Sequence, residues 1–337
     1  MLKNTITKFL LPLLLAPSLG YAACNGQDLR QSMAAELRQS VTSEVAAIPF
    51  AEGNFYRAQR GERILNLIGT VHINDARLDP LMGVLAPMTQ DADVVFLEST
   101  PDDIQQMQLD LLKLPELTFI TEGPTLIDRL PADDWAVLAH KAEAAGIPPW
   151  MAAKMRPWFL ATALSLPPCL RDGTNVELGL DKRIARVAQQ ANVPLASLED
   201  ALEVIRMMNE DPLDVQLRQM RPQIALIGGG GEGADNITTM LAAYFDERVA
   251  EFLALTHAEF LTSGTLPKED AEKIWDGFMD RLLRQRNEAW MPVIEAQEGN
   301  NIVIAVGALH LSGEHGLLKL LQNSGYTIER MHYPDIH

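Results

Sequence analysis

Arg63–His72 (RILNLIGTVH) and Asn301–His310 (NIVIAVGALH) decide the fold. Each opens on an apolar run, Ile64–Ile68 in one and Ile302–Val306 in the other, and closes on Gly-x-x-His. Short aliphatic runs of this kind suit strands buried on both faces of a sheet. After His72, Leu78, Leu81, Leu85 and Met88 recur at helical spacing, with Pro80 in the first turn and Pro87 expected to limit the end. Val94–Leu97 (VVFL) is a second buried-type strand, ending at Glu98. After His310 the pattern predicts a helix over about 314–322, Gly325, and a strand over 326–331. The chain thus runs β-GxxH-α-β twice.

Working outward, residues 55–58 and 63–68 flank Gln59-Arg60-Gly61-Glu62 and predict a β-hairpin. The middle reads as mainly helical, with Asp102–Leu112, Ala132–Ala145, Asp181–Gln190, Tyr244–Leu261 and Lys268–Trp290 the clearest segments. Val193–Leu198 is a further strand, followed by Glu199. Gly228–Gly231 with Glu232 and Gly233 reads as a hinge or lid connection, because the Lys-Ser/Thr pair of a phosphate loop is missing. The fold class expected is α/β, with α+β as the alternative: one domain over 23–337, containing a split mixed sheet covered on both faces. Its two halves lie at 55–100 and 300–333, around a helical middle or lid at 101–290.

In open α/β sheets, ligands bind beyond the carboxyl ends of the strands. His72, Glu98 and His310 all sit there. Two imidazoles and a carboxylate suit a divalent metal ion, zinc, manganese or cobalt, which lowers the pKa of bound water from about 16 to about 7. A glycine ahead of each histidine permits a sharp exit from the strand. Glu98 follows four apolar residues, where an unpaired carboxylate is costly, so it is expected to have a partner, as metal ligand, general base or salt-bridge member. The bland alternative is a hydrogen-bonded histidine at each strand end. Arg286-Asn287 could clamp a carboxylate or stabilise an oxyanion, or could simply face solvent beside Arg281, Arg284 and Glu288. Glu314 and His315, close behind His310, are candidates for capping the next helix or supporting His310; neither HExxH nor HxxEH is present there.

The formal charge of -17 over 337 residues opposes binding to nucleic acid or an anionic membrane. Lys3 and Lys8, the apolar run Phe9–Ala16 and Gly20-Tyr21-Ala22 read as a secretory signal over 1–22. Its removal takes away two lysines and no acid, leaving -19. A bacterial periplasm is the expected compartment. No later apolar run is long enough to span a bilayer, so an integral membrane protein is not expected. Cys24 and Cys169 are expected to pair as one disulfide; lipid attachment at Cys24 is the rival, weakened by Tyr21 where an aliphatic residue is wanted.

RILNLIGTVHI, VVFLES, RNEAWMPVI and IAVGALHLSGEHGLLKLLQNSGYTIER together resemble the TraB/PrgY/GumN proteins, a family related to the Tiki metalloproteases and, more distantly, to erythromycin esterases and ChaN-like proteins. The resemblance spans about 55–331, with only LGLD (Leu178–Asp181) and SLED (Ser197–Asp200) marking the middle. It implies one site built from both Gly-x-x-His motifs, with His72, Glu98 and His310 as catalytic or metal residues and Arg286 and Asn287 beside them. The expected function is a metal-dependent, peptidase-like hydrolase acting on a peptide or other small carbonyl substrate. A metal-independent esterase-like hydrolase and a non-catalytic module for peptide, haem or metal are the alternatives.

Overall fold

The computed structural model describes residues 24–165, 168–170, 179–221, 224, 230–263 and 266–333. The expected signal at 1–22 lies outside them. β1 (Phe55–Arg60) and β2 (Arg63–Thr70) form the expected hairpin, joined by Gly61-Glu62 with Gly61 at φ 62°. β3 (Val94–Leu97), β4 (Leu195–Ser197), β5 (Asn301–Gly307) and β6 (Thr327–Arg330) complete a six-stranded sheet of order β4-β3-β5-β2-β1-β6. β4, β3, β5 and β2 are mutually parallel, and β1 runs antiparallel to both β2 and β6. The sheet is mixed and the class α/β, as the alternating strands and helices led one to expect.

Burial follows the two-residue period of β structure. On β5, Ile302, Ile304 and Val306 enter one core with Leu65, Leu67 and Phe96; Val303 and Ala305 enter the other with Ile68, Val95 and Leu97. Helices Leu78–Gln90 and Leu180–Ala191 cover the second face, and Arg286–Ala296 with Leu317–Asn323 cover the first. A third cluster, including Leu126, Leu138, Leu160 and Leu217, gives the helical middle its own core.

The β2-to-β3 connection passes over one face toward β4, while the β5-to-β6 connection passes over the opposite face toward β1. Reversing both direction and face preserves crossover hand. It also leaves a crevice at the carboxyl ends of the adjacent strands β2 and β5, where their connections part to opposite sides.

Several boundaries differ from expectation. Pro87 lies inside its helix, which runs on to Gln90, so it does not limit the end. The helix after His310 begins at Leu317 with Gly316 as its N-cap, so Glu314 does not cap it; that residue is exposed in the preceding turn. Gly230–Gly233, expected in a loop, open helix Gly230–Phe245, and Gly228-Gly229 lie outside the described residues. The long helix from Lys268 is interrupted by a π turn at Asp280–Gln285 and resumes as Arg286–Ala296, which no periodic pattern had signalled.

Cys24 and Cys169 form a disulfide, as expected. No helix among the described residues is long and apolar enough to cross a membrane.

Candidate active site

The parallel strands deliver one polar side chain each to the crevice. β2 leads to His72, β3 to Glu98, β4 to Glu199, and β5 through the 3-10 turn Ala308–His310 to His310. Glu98 is central: its Oε1 lies 4.0 Å from His72 Nε2 and 3.9 Å from His310 Nε2. Oε1 also accepts from the Gly307 N–H at 2.7 Å, and Oε2 accepts from Arg286 Nη2 at 2.6 Å.

Each imidazole has a side-chain oxygen beside Nδ1. His310 donates to Asn287 Oδ1 at 2.7 Å, and His72 Nδ1 stands 3.3 Å from Asp181 Oδ1. Asp181 occupies the first turn of helix Leu180–Ala191, and the Leu180 N–H donates to Val71 O at 2.9 Å. Gly179 makes that approach feasible, because a Cβ there would lie 2.7 Å from the His72 carbonyl carbon. The motif glycines also act through space. Neither Gly69 nor Gly307 has a positive φ, so a sharp exit from the strand is not their purpose. A Cβ on Gly307 would stand 3.1 Å from Glu98 Oε1 and 3.6 Å from both His72 Nε2 and His310 Cδ2; one on Gly69 would press Leu311 and Ala308 at 2.9 and 3.0 Å.

Arg286 is the hub of the site. Its Nε donates to Glu199 Oε2 at 2.9 Å, Nη2 donates to Glu98 and to Glu199 Oε1, and Nη1 donates to Leu282 O and to His310 Nε2, both at 3.2 Å. All five N–H groups of the guanidinium are thereby engaged within the protein. Asn287 is likewise committed, its amide N–H groups donating to His310 O and His315 O. Both residues line the crevice, and as arranged they hold its members rather than offering free donors to an oxyanion. Glu199 was not singled out from sequence. Its signal was the one that found Glu98, a carboxylate just past an apolar strand, but the strand is only three residues long. Asp181 and Trp290 were missed as well; the Trp290 indole donates to Glu199 at 3.0 Å and its ring lies 4.4 Å from that of His310.

The two histidines differ electrically. His310 is buried, and that burial, with Arg286 and His72 nearby, outweighs the attraction of Glu98 and lowers its pKa to about 4. His72 is 55% exposed at the side chain. What burial its ring has opposes the charge, and Asp181 with Glu98 overcomes it, raising the pKa above 6.5. For Glu98, burial also opposes the charged form, but His310, Arg286, His72 and the Gly307 N–H bring its pKa down to about 2. At neutral pH the centre therefore holds an anionic Glu98, a neutral His310 and a cationic Arg286.

In metal-free protein, the His310 ring should titrate near pH 4 and the His72 ring above pH 6.5 by NMR. The unfolded chain takes up the His310 proton first, so this group costs up to ~3 kcal/mol of stability as pH falls from about 6.5 to about 4. His72 acts in the opposite sense: its contribution is present below 6.5 and is lost as pH rises through its folded value. Reversed titration orders would refute these environments.

The donor set suits a divalent ion: two Nε2 atoms and a carboxylate oxygen converge, and each ring's Nδ1 is held by an oxygen, the support metal-binding histidines usually have. Two features oppose closure as the side chains stand. The separations of 4.0 and 3.9 Å exceed the ~3.4 Å typical of two ligands on a tetrahedral ion, and Arg286 Nη1 donates into the Nε2 lone pair of His310. Among the described residues no group of three or more His, Cys, Asp and Glu side chains is arranged to hold a metal.

The family model described as the TraB/PrgY/gumN family matches residues 54–330, an interval containing every residue of this crevice. The chain belongs to the TraB/PrgY/gumN family. It is 25% identical over 268 residues to YbaP of Escherichia coli (strain K12), an uncharacterized protein, covering 78% of this chain and 89% of YbaP. YbaP of Shigella flexneri, also uncharacterized, matches at the same identity and coverage. Membership names no activity, so the chemistry rests on the site itself.

Proposed function

We propose that this TraB/PrgY/gumN member is an exported, periplasmic hydrolase of a peptide or other small carbonyl substrate, with a divalent ion (zinc, manganese or cobalt) held by His72, Glu98 and His310. One observation carries the reading: Asp181 and Asn287 occupy the Nδ1 sides of the two imidazoles, so both Nε2 atoms face the same Glu98 oxygen. The ion, when bound, would polarise the carbonyl and acidify the attacking water. His72 is the exposed member and lines the approach of substrate. Asn287 holds His310 in the Nδ1–H tautomer and keeps Nε2 unprotonated. Arg286 and the Gly307 N–H keep Glu98 ionised, and Arg286 also neutralises Glu199. The disulfide is consistent with an oxidising compartment.

Purified protein should carry close to one equivalent of transition metal, measured by elemental analysis, and His72→Ala or His310→Ala should lose it while remaining folded by circular dichroism. A second reading is favoured by the contact of Arg286 Nη1 with His310 Nε2, the lone pair an ion would use. In that reading hydrolysis needs no metal, and His72, steadied by Asp181, is the general base on water. Screening quenched fluorogenic peptides and aryl esters separates the two: chelator-treated protein that retains full turnover overturns the metal centre and leaves the His72–Asp181 pair.

A further inference from the structure

A cavity of about 390 Å³ lies in the helical middle, outside the crevice, and is walled by Trp158, Phe260, Trp275 and Phe278 among apolar neighbours. Its size and lining fall in the range of pockets that take a small apolar group, with a few polar atoms for orientation. Those atoms are present. Arg281 and Asp211 line it and pair at 3.1 Å. The Asp211 side chain is 24% exposed, so its carboxylate is an acceptor within reach of a ligand N–H or O–H.

Two elements tie this cavity to the crevice. Helix Ala201–Met208 starts two positions after Glu199, with Asp200 as its N-cap, and ends at Met208 in the cavity wall, a length of about 12 Å. On the other side, Arg281 of the wall and Arg286 of the site are joined by the π turn Asp280–Gln285. Hydrogen bonds in a π turn close from i to i+5, so residues five apart stack roughly one above the other, which an α-helix would not allow. Arg281 and Arg286 are therefore brought closer to one face of the helix than an α-helix would place them.

We infer that the cavity is a specificity pocket for an aromatic side chain bearing a hydrogen-bond donor, tryptophan or tyrosine, of an extended peptide whose backbone runs to the crevice. At about 3.3 Å per extended residue, the ~12 Å path places that side chain some three to four residues from the reacting carbonyl. The inference deepens the hydrolase reading and rests on it for the position of the carbonyl; side-chain capture is tested without turnover. Isothermal calorimetry with N-acetyl-tryptophanamide as probe should give saturable one-to-one binding, with N-acetyl-alaninamide at least tenfold weaker. Thr162→Phe, an exposed wall position, should weaken the tryptophan probe at least tenfold, and Asp211→Leu should remove the preference for it over N-acetyl-naphthylalaninamide, while His310→Ala binds as wild type. Absence of saturable binding, or binding indifferent to Thr162→Phe and Asp211→Leu, overturns the pocket. Loss of turnover in His310→Ala with probe binding intact supports both readings, and binding without any turnover in wild type overturns the hydrolase alone.

Discussion

Replacing Arg286 with Met should lower the unfolding free energy by about 3–5 kcal/mol in urea titrations at pH 7, one of the two largest effects expected for this protein. The side chains of Arg286, Glu98 and Glu199 are 12%, 21% and 13% exposed, so solvent cannot replace the lost cation. Without it, two carboxylates face each other across a crevice that also holds the Trp290 ring. Glu98, held down to about 2 in part by Arg286, would lose that support for its charged form, and its folded-state pKa would rise. The variant then has less to lose on protonation, so the deficit should narrow as pH falls through the raised value. Arg286→Lys should recover only part of the loss, because an ammonium cannot span both carboxylates and His310 as the planar guanidinium does. A deficit under about 1 kcal/mol for Arg286→Met, unchanged with pH, would contradict the hub assignment.

Removal of the disulfide in a Cys24→Ala, Cys169→Ala variant should cost up to about 5 kcal/mol. The bonded cysteines are 145 positions apart, and the entropy that a cross-link removes from the unfolded chain grows with the logarithm of that span. The bond also secures a strap: Gly26, Gln27 and Leu29 donate backbone N–H groups to Thr238, Asp235 and Thr239 of helix Gly230–Phe245. Hydrogen exchange should show those amides opening first in the variant. A change below about 1 kcal/mol, with strap protection intact, would show that the contacts hold without the bond.

The parts of this protein legible in its sequence are those that depend on local pattern. Leu65–Ile68, Val94–Leu97 and Ile302–Val306 are buried, so all their side chains but Asn66, which pairs with Asn301, are apolar, and the titratable residues soon after each run mark the crevice. That reasoning found His72 and Glu98, and His310 through its glycine motif. It passed over Glu199 because β4 is short and half-buried, leaving a weak apolar signal. Asp181 was invisible for a different reason: it lies on a helix and meets His72 only through the Gly179 contact, a tertiary event with no periodicity. The π turn has no residue signature, and the engagement of all five Arg286 donors depends on three separate segments meeting. The Arg-Asn pair could be placed near the site from sequence, whereas its holding role could not.

The strand order has a consequence for how this centre comes into being. β5 lies between β2 and β3, yet it is synthesised after both, with the whole helical middle in between. Until residue 307 has emerged, Glu98 lacks the Gly307 N–H, and His310, Arg286 and His72 cannot be brought together around it. A nascent or truncated chain ending before Asn301 therefore carries His72, Glu98 and Glu199 without the groups that surround them. Synthesis of β5 is built into the topology as the condition for assembling the crevice.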